Sequence, residues 1–222
     1  MILTVPCLFG LEGLVADEMK RLQLKDVRAE NGRVHCTGTF ADIARLNISL
    51  RCGARVLMEL GSFPARTFEE LFQGVAALPL EDYIPKDGEF PVKGYSLDST
   101  LHSVPACQSI VKKAAAKRMG GAYGCETLPE TGSRYQIQFA IIKDMAEIYL
   151  DMTGAPLYKR GYKQESNMAT IRETLAAFVE RIGAGTTAHH LHLLGDEALL
   201  SAVNALPLSS TTLKEKTLMN NL

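Results

Sequence analysis

The sequence predicts an α+β fold of two successive units, and three observations carry that expectation. They are the order of strand-like and helix-like periods in the first 63 residues, a strongly alternating hairpin near residues 135–152, and a polar joint after it. Residues 2–7, ILTVPC, form a short apolar run closed by Pro6 and the turn-like FGLEG. Leu11, Leu14, Val15, Met19 and Leu22 then recur at helical spacing between charged residues. Asn31-Gly32 is a two-residue hairpin signal between DVRAE and RVHCTGTF. FADIARLNISLR, residues 40–51, returns to helical spacing, and RVLMELGSF closes the unit as a strand. Strand–helix–strand–strand–helix–strand is the ferredoxin-like order. It predicts a four-stranded sheet with two helices on one face over residues 1–63.

The second unit, residues 64–155, opens with a capping-box pair, Thr67 and Glu70. EFPVKGYS reads as a strand. VPACQSIVKKAAAKRMGG reads as a helix, with Pro105 in its first turn and Gly120-Gly121 at its end. In RYQIQFAII-KD-MAEIYLDM, Tyr135, Ile137, Phe139 and Ile141 alternate with Gln136, Gln138 and Ala140, and the return run alternates likewise. A linker over 156–170 follows. Thr170 and Glu173 fit a further capping box, and Ile171, Leu175, Phe178 or Val179, and Ile182 stripe a helix over 171–182 whose apolar side wants a partner. DEALLSAVNALPL, within the tail, reads either as one amphipathic helix or as a loose stretch.

The composition, 46% hydrophobic with no apolar run near the ~18 residues a membrane span needs, predicts a soluble, cytoplasmic protein. Five cysteines without a CxxC pair read as free thiols. The formal net charge of −1 counts against a bulk nucleic-acid binder, so only a local concentration of cations could grip phosphates.

Two such concentrations exist. On the helix 105–119, Cys107, Ile110, Val111, Ala114 and Ala115 gather on one face. Gln108, Ser109, Lys112, Lys113 and Lys117 occupy the other, with Arg118 near the seam and no acid among them. In YKRGYK, Arg160 can fork onto a phosphate, Lys159 and Lys163 add charge, and Tyr158 or Tyr162 offers a ring for base stacking. His189, His190 and His192 lack the accompanying ligands of a metal site, so no metal is expected. No phosphate-binding glycine loop follows a strand, and no hydrolase, zinc-protease or kinase signature appears.

FGLEGLVADEM, NGRVHCTGTFADIARLNISLRCGARVLMELGSF, STLHSVPACQSIVKKAAAKRM, EIYLDMTGAPLYKRGYK and IRETLAA occur in that order over residues 2–177. In these stretches the chain resembles the N-terminal half of bacterial THUMP-domain RNA methyltransferases, the group that methylates the exocyclic N2 of guanine in 23S ribosomal RNA. The resemblance implies a ferredoxin-like domain, then a THUMP domain, both handling RNA. Gln108, Ser109, Lys112, Lys113, Lys117, Lys159, Arg160 and Tyr162 become the expected RNA contacts. It also implies an S-adenosylmethionine domain after RETLAA, but residues 180–222 carry neither its glycine-rich loop nor its Pro-Pro motif. Some 43 residues are too few for a doubly wound sheet, whose βαβ units take ~30 residues each. The expectation is therefore an RNA-binding portion with no cofactor of its own. Arg172 would lie near a cofactor only if another polypeptide supplied that domain. The competing expectation is a non-catalytic interaction protein that recruits a partner through the helix 171–182.

Overall fold

The computed structural model describes residues 1–159 and 174–177. Strand β1 (Ile2–Pro6), helix α1 (Glu12–Arg21), β2 (Lys25–Glu30), β3 (Arg33–Thr37), α2 (Phe40–Ser49) and β4 (Leu57–Pro64) follow the ferredoxin-like order. Helix α3 (Phe68–Ala76), β5 (Val92–Leu97), α4 (Val104–Tyr123), β6 (Ile137–Ile142) and β7 (Met145–Asp151) form the second half.

Local chemistry sets these boundaries. Thr67 and Glu70 make the expected capping box on α3, and Thr39 with Asp42 makes an unanticipated one on α2. The β2–β3 turn uses Asn31-Gly32 with Gly32 at φ +73°, and the β6–β7 turn places both Lys143 and Asp144 at positive φ. Helix α4 runs past its expected end. Gly120 and Gly121 are helical, and the helix stops at Gly124, whose left-handed φ of +62° makes the C-cap. Glycines inside a helix are tolerated here because the buried stripe from Cys107 to Met119 holds the helix down.

The strands of both units join in one sheet. Seven strands run in the order β2-β3-β1-β4-β7-β6-β5, antiparallel except for β5 with β6. Strand β4 meets β1 at two register positions only, Leu3–Met58 and Thr4–Leu57, then pairs with β7 from Leu57 to Pro64 around a bulge. No local sequence signal marks that pairing, because it joins residues some 90 positions apart. All four helices lie on one face of this sheet and share one core, which runs from Leu3 and Val34 through Met58 to Ile137 and Ile148.

The opposite face carries no helix among the described residues, yet Leu57, Ala140 and Tyr149 are buried there. Arg33 on β3 reaches across to Tyr149. Its guanidinium pairs with Glu147 on β7 and donates to the Tyr149 hydroxyl at 3.1 Å. Three strand spacings separate β3 from β7, about 14 Å on a flat sheet, so the sheet must curl for one side chain to span it. The network extends to Glu30, 3.1 Å from Arg33, and to buried His35, whose Nδ1 lies 2.9 Å from the Thr4 hydroxyl and whose Nε2 lies 3.3 Å from Glu30.

Two predictions follow from packing and charge. Ile137 and Leu150 face one another in register and are almost wholly buried, so Ile137→Ala or Leu150→Ala should cost about 2–5 kcal/mol in denaturant unfolding. His35 is held below the ordinary histidine range, first by burial and against the opposing pull of Glu30. The unfolded chain therefore takes up the proton before the folded one as pH falls, and this stabilisation is full above about pH 6.5 and lost below it. The melting temperature should decline on acidification through that window, and His35→Gln should flatten the decline.

Candidate nucleic-acid interface

Helix α4 lies against β5 on one side and α3 on the other, and this placement sorts its polar face into two rows. Gln108 and Lys112 face β5. Gln108 donates to the Val92 carbonyl at 3.5 Å, and the Lys112 ammonium donates to the Phe90 carbonyl at 3.1 Å. Lys112 also pairs with Glu130 at 2.6 Å and sits 3.3 Å above the Phe90 ring centroid. These contacts cap outward carbonyls beside and on an edge strand, so the Lys112 charge is already partnered within the fold. Its acid partner comes from a loop 18 residues away, which a helical wheel does not reveal.

The second row is Ser109, Lys113 and Lys117, spaced four residues apart and exposed. Lys117 lies 5.3 Å from the Phe72 ring on α3, and no carboxylate pairs with Lys113 or Lys117 among the described residues. Arg118, at the seam, is taken up by Glu81, and that hydrogen-bonded pairing holds the Glu81 carboxyl below its usual range. Of the expected helix cluster, Lys113 and Lys117 thus remain as unneutralised charge.

After β7 the chain makes a short 3-10 turn, Leu157–Lys159, at the start of the expected linker. Leu157 is buried and its N–H bonds to the Ala54 carbonyl, whereas Lys159 is exposed. This exit and the Lys112 end of α4 lie at the same end of the sheet, since β7 closes beside Gln136 and β5 opens beside Phe90. Arg160, Tyr162 and Arg172 lie outside the described residues, as do the capping pair Thr170–Glu173, the histidine tract and the tail helix. Of the joint helix, residues 174–177 are described and helical. Thr174 is buried, and Leu175 and Ala177 pack on the chain's own main core.

Cofactors such as S-adenosylmethionine sit where a strand's carboxyl end turns into a helix, with glycine allowing close backbone approach. Of the strand–loop–helix passages, those after β1 and β3 contain a glycine, Gly10 and Gly38, and those after β4 and β5 contain none. All five cysteines are free, and burial pushes the Cys7 and Cys36 thiols up to about 12, away from reactivity. No group of metal-ligating side chains is found among the described residues.

Comparison with known families resolves what this scaffold is. Residues 2–57 match the RlmL ferredoxin-like domain and residues 65–151 match the THUMP domain. The chain carries an RlmL-type ferredoxin-like domain followed by a THUMP domain. It is 37% identical over 211 residues to YpsC of Bacillus subtilis, a protein named as an RNA methyltransferase, covering 88% of this chain and 54% of that one. It is 29% identical over 182 residues to ribosomal RNA large subunit methyltransferase K/L of Pseudomonas putida, covering 80% of this chain and 24% of the relative. A solved Listeria monocytogenes protein, described as an N6-adenine-specific DNA methylase, superimposes with a TM-score of 0.77 at 43% identity, over 82% of this chain and 48% of that one. A protein described as a methyltransferase and solved in complex with SAH gives 0.75 and 41% with the same coverage. The THUMP-containing chain therefore spans about half the length, or less, of these relatives.

The two rows on α4 predict different mutational behaviour. Lys112→Ala should cost about 1 kcal/mol of stability through its lost ring contact and ion pair. Lys113→Ala should stay within about 0.5 kcal/mol. Thermal melts of the two variants side by side check the distinction.

Proposed function

We propose that this chain is the RNA-binding portion of a ribosomal RNA guanine-N2 methyltransferase-like protein. It positions structured RNA, of the large ribosomal subunit, for methylation by a cofactor domain that the described residues do not contain. The observation that carries this reading is the exposed, acid-free row Ser109–Lys113–Lys117 on the long helix of a THUMP domain. Lysines at successive turns present ammonium groups to a backbone of regularly spaced phosphates, and such contacts position RNA without reading its sequence. Lys159, at the same end of the sheet, extends the basic surface toward the joint.

S-adenosylmethionine would supply the methyl group when bound by the cofactor domain, while the residues described here bind and orient RNA. No helix among the described residues is long and apolar enough to cross a membrane, in keeping with action on RNA in the cytoplasm. The interaction-protein alternative is weaker, because Leu175 and Ala177 are already packed on the core. The relatives' names point to both RNA and DNA, and the THUMP match supports RNA.

Binding of a ribosomal RNA helix and of the matching DNA duplex should be measured across a salt series. RNA should bind more tightly. Lys113→Glu with Lys117→Glu should weaken it at least about tenfold and lower the salt slope by about 2, one for each lost phosphate contact. Unchanged affinity in the double variant, or preference for DNA, would remove this reading. Isothermal titration of the 222-residue chain with S-adenosylmethionine should give no saturable heat.

A further inference from the structure

At the end of the sheet away from Lys159, four apolar residues line up in register across four strands. Leu97 on β5 is the register partner of Ile142 on β6, Ile142 of Met145 on β7, and Met145 of Pro64 on β4. Gly94 fixes the face they occupy. A Cβ there would lie 2.2 Å from the Phe139 carbonyl oxygen, and Phe139 belongs to the core beneath the helices. Side chains alternate along a strand, so Leu97 stands on the helix-free face and its register partners stand with it. Leu97 is 52% exposed and Met145 42%, Pro64 is exposed, and Ile142 is half-buried. The row crosses three strand spacings, about 14 Å.

The two ends of the row differ in charge. Beyond Pro64 stands Arg66, its side chain 75% exposed and 3.7 Å from Asp144. Beyond Leu97 stands Asp98, exposed and in no ion pair among the described residues. A row with a cation at one end and an anion at the other matches itself under a two-fold axis through its middle. Pro64 then meets Leu97 of the second copy, Met145 meets Ile142, and Arg66 meets Asp98 at both ends.

This self-matching selects the occupant. A polyanion is repelled by Asp98 and gains nothing from four apolar side chains. An added protein strand needs a free edge, and the row lies on a face. A lipid surface favours a rim of basic residues without an acid among them. A second copy of the chain satisfies the apolar row and the opposite charges together.

We propose that the chain self-associates into a two-fold dimer through the row Leu97–Ile142–Met145–Pro64, closed at each end by Arg66 of one copy and Asp98 of the other. The contact buries less than about 600 Å² per copy, so the dimer belongs to the transient class. Helix α4 packs against the opposite face of the sheet, and both Ser109–Lys113–Lys117 rows stay open on the outside of the dimer.

Sedimentation velocity of the 222-residue chain across the micromolar range, without RNA, tests it. The weight-average mass should rise with concentration toward that of two chains. Met145→Lys should hold the chain monomeric over the same range, with an unchanged melting temperature because the position is exposed. Asp98→Arg alone and Arg66→Glu alone should each weaken association at least about tenfold, since like charges then face one another at both ends. An equimolar mixture of those two variants should associate as the wild type does, because each introduced charge meets its opposite on the other copy. A wild-type chain that stays monomeric throughout overturns the proposal, whether its own residues 178–222 or a further domain covers the row. So does a dimer that survives Met145→Lys, or a mixture no tighter than its single variants. Each of these results leaves the RNA reading of α4 standing.

Discussion

Strand β4 is paired on both sides, briefly with β1 and at length with β7, and that double pairing sets the shape of the molecule. A ferredoxin-like sheet ends at the strand that pairs with β1. Here the same strand continues past a bulge into a second ladder, so neither half has a free edge at the junction. One core then runs beneath all four helices, and relative motion of the halves would break main-chain hydrogen bonds as well as side-chain packing. The short contact with β1 lets the sheet twist at this point, and the Arg33 bridge to Glu147 and Tyr149 fixes the resulting curl.

The curl also explains a charge pattern that totals conceal. With 24 basic and 25 acidic residues, the chain is close to neutral. Yet Arg33, Arg55, Lys112 and Arg118 each meet a carboxylate inside the structure. These pairs hold distant elements together, strand to strand or helix to loop, and so consume cations of both halves. Lys113 and Lys117 escape because their stretch of α4 turns away from the loops that carry the acids. A neutral sum is thus compatible with a local positive surface, since screening limits each charge to its neighbourhood, about 8–10 Å at ordinary salt.

Features governed by near neighbours were legible in the sequence. The hairpin from Tyr135 to Met152, the Thr67–Glu70 cap and the buried face of α4 all follow from spacings of a few residues. Features governed by distant pairing were not. The ladder between β4 and β7 and the Lys112–Glu130 bridge need contacts that no helical wheel contains. Gly120-Gly121 misled because glycine weakens a helix without ending one, whereas Gly124 ends it by adopting positive φ. Lys93 and Tyr95 carried a readable signal, the alternation in VKGYSL, but which side faced solvent depended on where α4 packed.

That last dependence reaches the function. Placing every helix on one face satisfies the apolar side of the sheet and leaves the other side to be closed by its own polar residues. Closure is complete at the centre, where Arg33 and Glu147 shield Tyr149, and incomplete at β5, where Tyr95 and Leu97 stay exposed. An edge strand left open in this way invites pairing with other chains unless something blocks it. Lys112 and Gln108 block its first outward carbonyls, and Lys93 adds a charge on its face.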